Sequence, residues 1–314
     1  MPQPDIVAIG EPMLEFNAEE EGALSEVTRF LAGWGGDTSN FCIAASRAGG
    51  KAGYLTRIGS DEFGNSLLAL WKREGIDTSR VVRDPEAYTA AYFISRLGRE
   101  HFFTYFRKDS AASRMQPEFL PREYIAQARL LHVSGISQAI STSACDTVFA
   151  AIGIARQAGR LVSYDPNFRP RLWPVERARA VIHETCRLAD LVFPSLEEAR
   201  HLTGLDRAEE IARFYLGLGP KVVLLKMGAE GSLLATADGI ERQPSFQVAS
   251  IDMSGAGDTF DGAFVTAFLE GRPPSACARF ANAAAALTTT GLGCVRPIPR
   301  REEIEKLLSR TAQG

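Results

Sequence analysis

The chain has few of the residues that build disulfide frameworks and zinc sites. Its 314 residues include only five cysteines and four histidines, which are scattered and form no CxxC pair. An odd number of isolated cysteines is typical of buried thiols in a reducing compartment. The histidines show no zinc spacing. We therefore expect structural roles for both sets: Cys42, Cys145, Cys186, Cys277 and Cys294, and His101, His132, His183 and His201.

Long hydrophobic runs and an excess of basic charge are also missing. Apolar runs such as VVLL at 222–225 fall far short of the roughly 20 residues that a membrane-spanning helix needs. A net charge of −3 and a pI near 5.9 argue against a general binder of nucleic acid or anionic membranes. The first residues lead directly into a strand, without the basic and apolar segments of a secretory signal. We expect a cytoplasmic protein that binds neither nucleic acid nor membrane.

Strand-like and helix-like segments alternate along the chain. Apolar runs typical of buried strands lie at 6–10, 130–134, 161–165, 191–193 and 222–226. Helical patterns lie at 40–49, 61–75, 143–158, 175–187, 196–203 and 207–218. This alternation predicts an α/β fold, with a parallel sheet covered on both faces and ligands at the carboxyl ends of its strands. No linker-like segment divides the chain.

The most informative motif is DMSGAGDTFDG at residues 252–262. Apolar spacing predicts a helix over 259–269, so the amides of Gly255, Ala256, Gly257 and Asp258 become unpaired donors at its N-terminus. Such amides, together with the helix dipole, form an anion hole for phosphate. A carboxylate beside that phosphate is better used as a general base for an attacking hydroxyl, which is the predicted role of Asp258. The alternative is an N-cap followed by a glycine turn.

A second glycine-rich loop precedes a helix at residues 33–49 (GWGGDTSNFCIAASRAG). It carries Asp37, Asn40 and hydroxyl groups instead of a phosphate-binding lysine. Close backbone approach combined with amide and carboxylate groups suits a polyol. The alternative is a loop leading into a capped helix.

These two motifs, together with RIGSDEFG at 57–64, resemble the ribokinase-like (PfkB) family of sugar kinases over about residues 6–299. The segments at 34–37, 105–113 and 165–173 are most similar to 2-keto-3-deoxygluconate (KDG) kinases. The resemblance implies one catalytic domain over 1–314, an α/β/α sandwich with a small β-sheet lid inserted from about 12–33 and 86–108. It also implies ATP-dependent phosphorylation of the terminal hydroxyl of KDG with Mg²⁺, and leaves room for a monovalent cation such as K⁺.

The two lid segments have strand character without accompanying helices, and aromatic residues recur along 101–106. We expect an antiparallel lid over the sugar end of the cleft. The resemblance also implies a homo-oligomer, dimeric or higher, formed through this lid. The alternative is that the aromatic strands pack against the chain's own core.

A sugar acid carries a carboxylate, which a guanidinium binds through two parallel hydrogen bonds. Arg107 and Arg169 match substrate-facing positions of similar KDG kinases. The alternative is a surface ion pair for each, or a phosphate contact for Arg169. The resemblance implies further substrate contacts from Gly36, Asn40, Tyr92 and Tyr105. Core packing is the alternative for the two tyrosines.

The segment KMGAEGS at 226–232 follows a strand and resembles the family's segment at the nucleotide. Ser195 stands in place of the asparagine of the family's Asn-x-x-Glu motif. We expect Glu197 to organise the waters of Mg²⁺, because this ion gives up its waters reluctantly. The expected nucleotide contacts are Asn167, Ser195, Lys226, Gly228, Gly231 and Asn282. The alternatives are a hairpin turn for the two glycines and a satisfied polar side chain for Asn282.

Specific residues distinguish the alternative functions of this chain. Cys294 stands near a position where some similar KDG kinases have an aspartate that touches substrate. A fructokinase or a ribokinase would share every phosphate-side residue and is the alternative within the family. A sugar- or nucleotide-sensing module is the non-enzymatic alternative, although Asp258 and its glycines are intact. An NAD-dependent oxidoreductase is disfavoured, because GEPM at 10–13 lacks the GxGxxG turn.

Overall fold

The computed structural model describes residues 3–98 and 100–311 of the chain. The strands form one large sheet and two smaller ones. The strands are β1 Ile6–Ile9, β2 Met13–Ala18, β3 Phe30–Gly35, β4 Ala52–Leu55, β5 Arg57–Gly59, β6 Val82–Asp84, β7 Ala91–Leu97, β8 Glu100–Phe106, β9 Leu130–Ser134, β10 Leu161–Asp165, β11 Leu191–Val192, β12 Val222–Lys226, β13 Ser232–Thr236 and β14 Gly239–Gln243. The helices are α1 Asp37–Arg47, α2 Glu62–Arg73, α3 Arg122–Gln127, α4 Gly135–Ala139, α5 Thr142–Gln157, α6 Val175–Leu188, α7 Leu196–Thr203, α8 Ala208–Gly217, α9 Ala256–Leu269, α10 Pro274–Thr288 and α11 Arg301–Thr311.

The large sheet has the strand order β14-β13-β12-β11-β10-β9-β1-β4. From β4 to β12 neighbouring strands are parallel, as the alternating pattern predicts. The last two strands are antiparallel and extend the sheet beyond the predicted set. Because β12 and β13 form a hairpin, residues 227–231 are its turn.

Side chains of the parallel strands alternate between two hydrophobic layers, since successive residues of a strand point to opposite faces. In β1, Ile6 and Ala8 belong to the layer that contains α1, α9 and α10. Val7 and Ile9 belong to the layer that contains α5, α6 and α8. Burial on both faces accounts for the nearly continuous apolar character of these strands.

The lid sheet, formed by β2, β3, β7 and β8, has the order β3-β2-β7-β8. Its central pair β2 and β7 is parallel, and the outer pairs are antiparallel. Strand β3 continues to Gly35, beyond the predicted boundary at 33, and α1 follows after Gly36. The lid sheet therefore connects directly to the second glycine motif.

The five cysteines are buried free thiols, as expected from their spacing. Within residues 3–98 and 100–311, no helix is both long and apolar enough to cross a membrane.

Candidate active site

Helix α9 begins at Ala256, three residues before the predicted start at Thr259. Its N-cap is Gly255, which has a left-handed φ of 74°. A side chain at Gly255 would place its Cβ 2.8 Å from the carbonyl oxygen of Cys294. Glycine is therefore required both by the backbone conformation and by the close approach of a second chain segment.

The first turn of α9 leaves backbone donors available. The amide of Ala256 donates to the carbonyl of Met253 at 3.3 Å. In the part of the chain that the structure describes, no protein acceptor is recorded for the amides of Gly255, Gly257 and Asp258. Unpaired amides at a helix N-terminus attract an anion.

Asp258 lies in this first turn and is half-buried. Its Oδ2 accepts a hydrogen bond from Nδ2 of Asn40 at 2.8 Å. Burial and the negative charge of Asp37 raise the pKa of Asp258 to about 7, although the hydrogen bond from Asn40 acts in the opposite direction. A carboxylate with a pKa near 7 can accept and release a proton at neutral pH.

Asp37, the first residue of α1, joins three segments beneath this site. Its carboxylate accepts hydrogen bonds from the amide of Thr38 at 2.8 Å, from the hydroxyl of Ser134 and from Nδ2 of Asn167 at 3.1 Å. Asn167 has a left-handed φ of 38°, which is uncommon outside glycine. Asn167, predicted to face the nucleotide, is thus fixed by the loop that was predicted to face the sugar.

Lys226, at the end of β12, is surrounded by carboxylates. Its Nζ donates to Oδ2 of Asp165 at 2.9 Å and to the two oxygens of Asp261 at 3.2 and 3.3 Å. Burial acts to lower the pKa of Lys226, but the charges of Asp165 and Asp261 raise it above its ordinary value. Lys226 was predicted to bind nucleotide, and Asp261 was assigned no role. The sequence signal that could have identified Asp261 is an acidic residue among the mainly apolar residues of α9.

Arg107 forms an ion pair with Glu11, whose side chain is fully buried. Ser110 also donates its hydroxyl to Glu11, at 2.7 Å. The guanidinium of Arg107 lies 5.5 Å from the ring centre of Tyr105, while Nε of Arg107 is buried without a recorded partner among the described residues. The alternative of an exposed surface ion pair does not describe Arg107, since its charge compensates a buried carboxylate.

Tyr92 and Tyr105 pack against each other, with ring centres 5.7 Å apart. Their environments differ, because Tyr105 is 40% exposed and Tyr92 only 5%. The hydroxyl of Tyr92 donates to Glu15, and the thiol of Cys294 donates to the same carboxylate at 3.0 Å. Glu15 was missed by sequence reasoning, although an acidic residue within the apolar strand β2 is a signal for such a role. It supplies a carboxylate beside Cys294.

Arg169 and Arg171 project from the loop after β10. Arg169 pairs with Glu198, which also accepts the amide of Phe168 at 3.2 Å. Arg171 is exposed and donates to the carbonyl of Phe103 in the lid sheet at 3.4 Å. No ion pair of Arg171 is recorded among the described residues, so its charge is available.

The two glycines of the 226–232 segment shape the turn between β12 and β13. Gly228 and Gly231 have φ values of 59° and 91°. A Cβ on Gly231 would lie 2.1 Å from the carbonyl oxygen of Gln243. Asn282 donates to Ser232 at 3.1 Å and to the carbonyl of Gln243 at 3.1 Å. The two glycines thus form a hairpin turn, and the amide of Asn282 is satisfied by the protein, as the structural alternatives predict. A contact between these residues and nucleotide stays a prediction.

The acidic motif at the start of α7 presents two carboxylates in different environments. Ser195 is the N-cap residue, and Glu197 is exposed with no recorded ion pair among the described residues. Glu198 is the carboxylate that faces the loop after β10, where it holds Phe168 and Arg169. Glu198 also lies three residues after Ser195, which is the spacing of the Asn-x-x-Glu motif. Of the two acids, Glu198 rather than Glu197 contacts the loop after β10, and a role at Mg²⁺ for either stays a prediction.

Gly36 lies at the junction of β3 and α1 and has a φ of 98°. A Cβ at this position would lie 2.4 Å from the carbonyl oxygen of Glu11 and 2.8 Å from Cα of Pro12. The loop that carries Asn40 therefore packs directly against the chain leaving β1. Together with α9, it brings Asn40 and Asp258 into contact.

The match to a family model, the pfkB family carbohydrate kinase model, extends over residues 3–301. The chain belongs to the pfkB family of carbohydrate kinases. It is 34% identical over 309 residues to the 2-dehydro-3-deoxygluconokinase of Bacillus subtilis, covering 97% of this chain and 95% of that protein. It is 35% identical over 309 residues to the enzyme of that name from Thermoproteus tenax, covering 96% and 94%. Fructokinase-1 of Zea mays is 35% identical over 319 residues, covering 97% and 98%.

Solved pfkB-type structures share the fold. A fructokinase with bound ATP from Xylella fastidiosa has a TM-score of 0.88 at 26% identity, with 98% of this chain and 99% of that chain covered. A candidate ribokinase II from E. coli, solved with ATP and Mg²⁺, has a TM-score of 0.91 at 25% identity with the same coverage. The predicted family, the ribokinase-like α/β fold class and the carbohydrate kinase activity are confirmed. In this pfkB kinase, a carboxyl of raised pKa, Asp258, lies in the same helical turn as backbone amides that have no protein acceptor within the described residues.

Proposed function

We propose that this carbohydrate kinase transfers the γ-phosphate of ATP to the terminal hydroxyl of 2-keto-3-deoxygluconate, the compound that biochemical nomenclature also calls 2-dehydro-3-deoxygluconate. Two relatives named for that activity match nearly the whole chain. The observation that carries the substrate assignment is a set of three guanidinium groups around Tyr105, two of them paired with carboxylates and one, that of Arg171, without an ion pair among the described residues. Burial raises the pKa of Tyr105, whereas Arg107, Arg169 and Arg171 all act to lower it. Three guanidinium groups near one exposed tyrosine form a suitable environment for a sugar acid.

In the proposed reaction, Asp258 accepts the proton of the terminal hydroxyl as that oxygen attacks the γ-phosphorus. A new oxygen–phosphorus bond forms, the bond to the β-phosphate oxygen breaks, and ADP leaves. The amides of Gly255, Gly257 and Asp258 stabilise the charge on the transferred group. The side-chain oxygen of Asn40 is buried without a recorded partner among the described residues, so it can accept a hydrogen bond from the sugar while its amide nitrogen holds Asp258.

Among the three arginines, Arg171 is proposed as the main reader of the carboxylate. Arg107 already compensates Glu11, and Arg169 already pairs with Glu198. Arg171 is exposed and lacks an ion pair within the described part of the chain. Its contact with Phe103 also links it to the lid sheet, which is proposed to close over the sugar.

Magnesium is proposed to bind beside the phosphates through water. The described residues contain no cluster of three or more histidine, cysteine or acidic ligands. This fits an ion that keeps most of its water and is held chiefly by phosphate oxygens. Glu198 is the carboxylate placed to orient those waters, and Mg²⁺ would neutralise charge on the phosphates. A requirement for K⁺ and a cytoplasmic location stay predictions.

The lid sheet is also proposed to pair two copies of the chain. Its strands β7 and β8 carry exposed hydrophobic side chains, with Leu97, Phe102 and Phe106 exposed by 57%, 44% and 56%. Exposed apolar groups along an edge strand are typical of an association surface. Sedimentation velocity of the wild type and of Phe106→Glu tests this step, since a homo-oligomer through the lid should dissociate in the variant.

The substrate proposal is tested by Mg-ATP-dependent ADP formation with KDG, gluconate, fructose and ribose. We expect the highest kcat/KM with KDG. Arg171→Ala should lower kcat/KM for KDG at least about tenfold more than for fructose, because only the sugar acid loses an ion pair. Arg213→Ala, an exposed arginine on α8, is the matched control. A preference for fructose or ribose would overturn KDG as substrate, and binding without turnover of any sugar would favour a sensing module.

A further inference from the structure

Three charged groups lie buried directly behind the anion hole. The side chains of Lys226, Asp165 and Asp261 are exposed by only 14%, 6% and 1%. A Cβ built on Gly257 would lie 3.4 Å from Nζ of Lys226. The ammonium group therefore lies against the first turn of α9, on its inner side.

This cluster comes from three separate elements. Asp165 ends β10, Lys226 ends β12, and Asp261 lies one helical turn after Asp258 on α9. Burial of three such groups costs free energy that mutual pairing has to offset. Because replacing a buried ion pair with well-packed apolar residues is often neutral or stabilising, stability alone does not account for this cluster.

The two acids of the cluster have pKa values that are shifted in opposite directions. Burial acts to raise the pKa of Asp165, but Lys226 and a hydrogen bond shared with Asp261 hold that pKa below its ordinary value. Burial raises the pKa of Asp261 well above its ordinary value, although the charge of Lys226 acts in the opposite direction.

We infer that Lys226, held by Asp165 and Asp261, is a positioning cation that acts on the reaction from behind Gly257. It strengthens the positive end of α9 where the transferred phosphate is proposed to bind, and it favours the ionised form of Asp258. This inference rests on the proposed function of the anion hole. Lys226 does this without touching substrate, because its hydrogen bonds are directed to Asp165 and Asp261.

Several groups face Asp258, and their effects on it differ in sign. Asp37 and Asp165 raise the pKa of Asp258, whereas Lys226 and the hydrogen bond from Asn40 lower it. The remaining charged or titratable groups that interact with Asp258 are Arg169, Asp261 and Cys294. Loss of Lys226 should therefore raise the pKa of Asp258, and loss of the Asp165 charge should lower it.

The test compares Lys226→Met, Asp165→Asn and the double variant with the wild type. Each is assayed for the pH dependence of kcat/KM with the best carbohydrate substrate. The pKa of Asp258 is followed separately by the ¹³C shift of its carboxyl carbon, with Asp258→Asn as the blank. Lys221→Met is the matched control, since Lys221 pairs with Asp190 at 2.8 Å but is 72% exposed.

In Lys226→Met the acid limb of kcat/KM should move up by about one pH unit, and in Asp165→Asn it should move down. The double variant should return the limb to near its wild-type position and recover stability, because both charges of the buried pair are gone. Its kcat should nevertheless stay at least about tenfold low, since no cation lies behind Gly257. If Lys226→Met fails to fold, the double variant and Asp165→Asn still decide the question.

A double variant with wild-type kcat would show that the pair is only structural and would overturn the inference. An unchanged pKa of Asp258 in both Lys226→Met and Asp165→Asn would overturn it as well. Failure of the wild type to phosphorylate KDG would count against the substrate proposal alone. The carboxyl titration needs no turnover and still reports the effect of Lys226.

Discussion

Asn40 donates a hydrogen bond to Asp258 at 2.8 Å, across 218 positions of the chain. The two residues come from the two glycine motifs, and each stands in the first turn of its helix. The amide group of Asn40 holds Asp258 through its nitrogen and leaves its oxygen without a partner among the described residues. The proposed base and the proposed sugar-facing loop are therefore in direct contact.

Asn40→Ala should lose more activity at neutral pH than at high pH. The hydrogen bond from Asn40 favours the ionised form of Asp258, whose pKa is about 7. Its loss raises that pKa, and activity falls as pH falls through it because a general base must be deprotonated. For a rise of about one pH unit, kcat/KM at pH 7 should fall about fivefold, beyond any loss of sugar contact that is independent of pH. Full pH profiles provide the measurement.

Asn65→Ala is the matched control for that profile, since the exposed side chain of Asn65 bonds to Glu62 and Arg83. Its acid limb should coincide with that of the wild type. An Asn40→Ala limb at the wild-type position would show that Asn40 does not tune the base.

Asp258→Asn should lower turnover at least about a hundredfold, the usual range for loss of a general base. It should also change the pH dependence of stability. Because the folded pKa of about 7 lies above the value in the unfolded chain, the wild type loses stability as pH rises from about 4 to about 7. The difference in Tm between variant and wild type should therefore be more favourable to the variant at pH 8 than at pH 4. Near-normal turnover would remove Asp258 from the mechanism.

The sequence predicts the fold class well because local signals carry it. Apolar strands such as β12 and the helical pattern of α7 fall within a residue of their predicted bounds. The start of α9 was placed too late, because Asp252 accepts the amides of Ser254 and Gly293 at 2.9 Å and builds a turn that no periodicity shows. Tertiary contacts decide such details.

Residues of the candidate site that belong to a short sequence motif can be predicted. Residues whose role depends on a contact with a sequence-distant residue are much harder to predict. Asp258 is predicted as the base from its glycine motif together with the second glycine motif and the family resemblance, and that role stays a prediction. The roles of Glu11, Glu15 and Asp261 depend on pairing with Arg107, Tyr92 and Lys226, which lie elsewhere in the sequence. Glu198 can be identified from the sequence, because it lies three residues after Ser195, which is the spacing of the Asn-x-x-Glu motif. Glu197 lies only two residues after Ser195.

Arg107→Ala should destabilise the protein by about 3 to 5 kcal/mol, because it leaves the fully buried carboxylate of Glu11 without its partner. The double variant Glu11→Gln with Arg107→Met should regain most of that loss. Urea unfolding measures both. Any loss of KDG activity in Arg107→Ala has to be compared with the activity of this double variant, because the single variant is also expected to lose stability. A stable Arg107→Ala protein would show that Glu11 does not depend on this ion pair.

Gly36→Ala should cost about 3 kcal/mol or more, because φ is 98° and the new Cβ would meet backbone atoms of Glu11 and Pro12. Gly228→Ala is the matched comparison. It also has a positive φ, 59°, but its Cβ would meet no atom within 4 Å, so about 1 kcal/mol is expected. Urea unfolding of both variants separates steric overlap from backbone strain. Equal losses would mean that the loop at Gly36 moves aside.

Glu198→Gln and Glu197→Gln should differ sharply, although the residues are adjacent. Glu198 holds the amide of Phe168 and the guanidinium of Arg169 at the site, whereas Glu197 is exposed. If Glu198 orients the waters of Mg²⁺, its loss should raise the KM for Mg²⁺ about tenfold, as is typical of outer-shell groups. Glu197→Gln should leave it unchanged. Titration of Mg²⁺ at saturating ATP and sugar makes the comparison, and the reverse order would return the metal-organising role to Glu197.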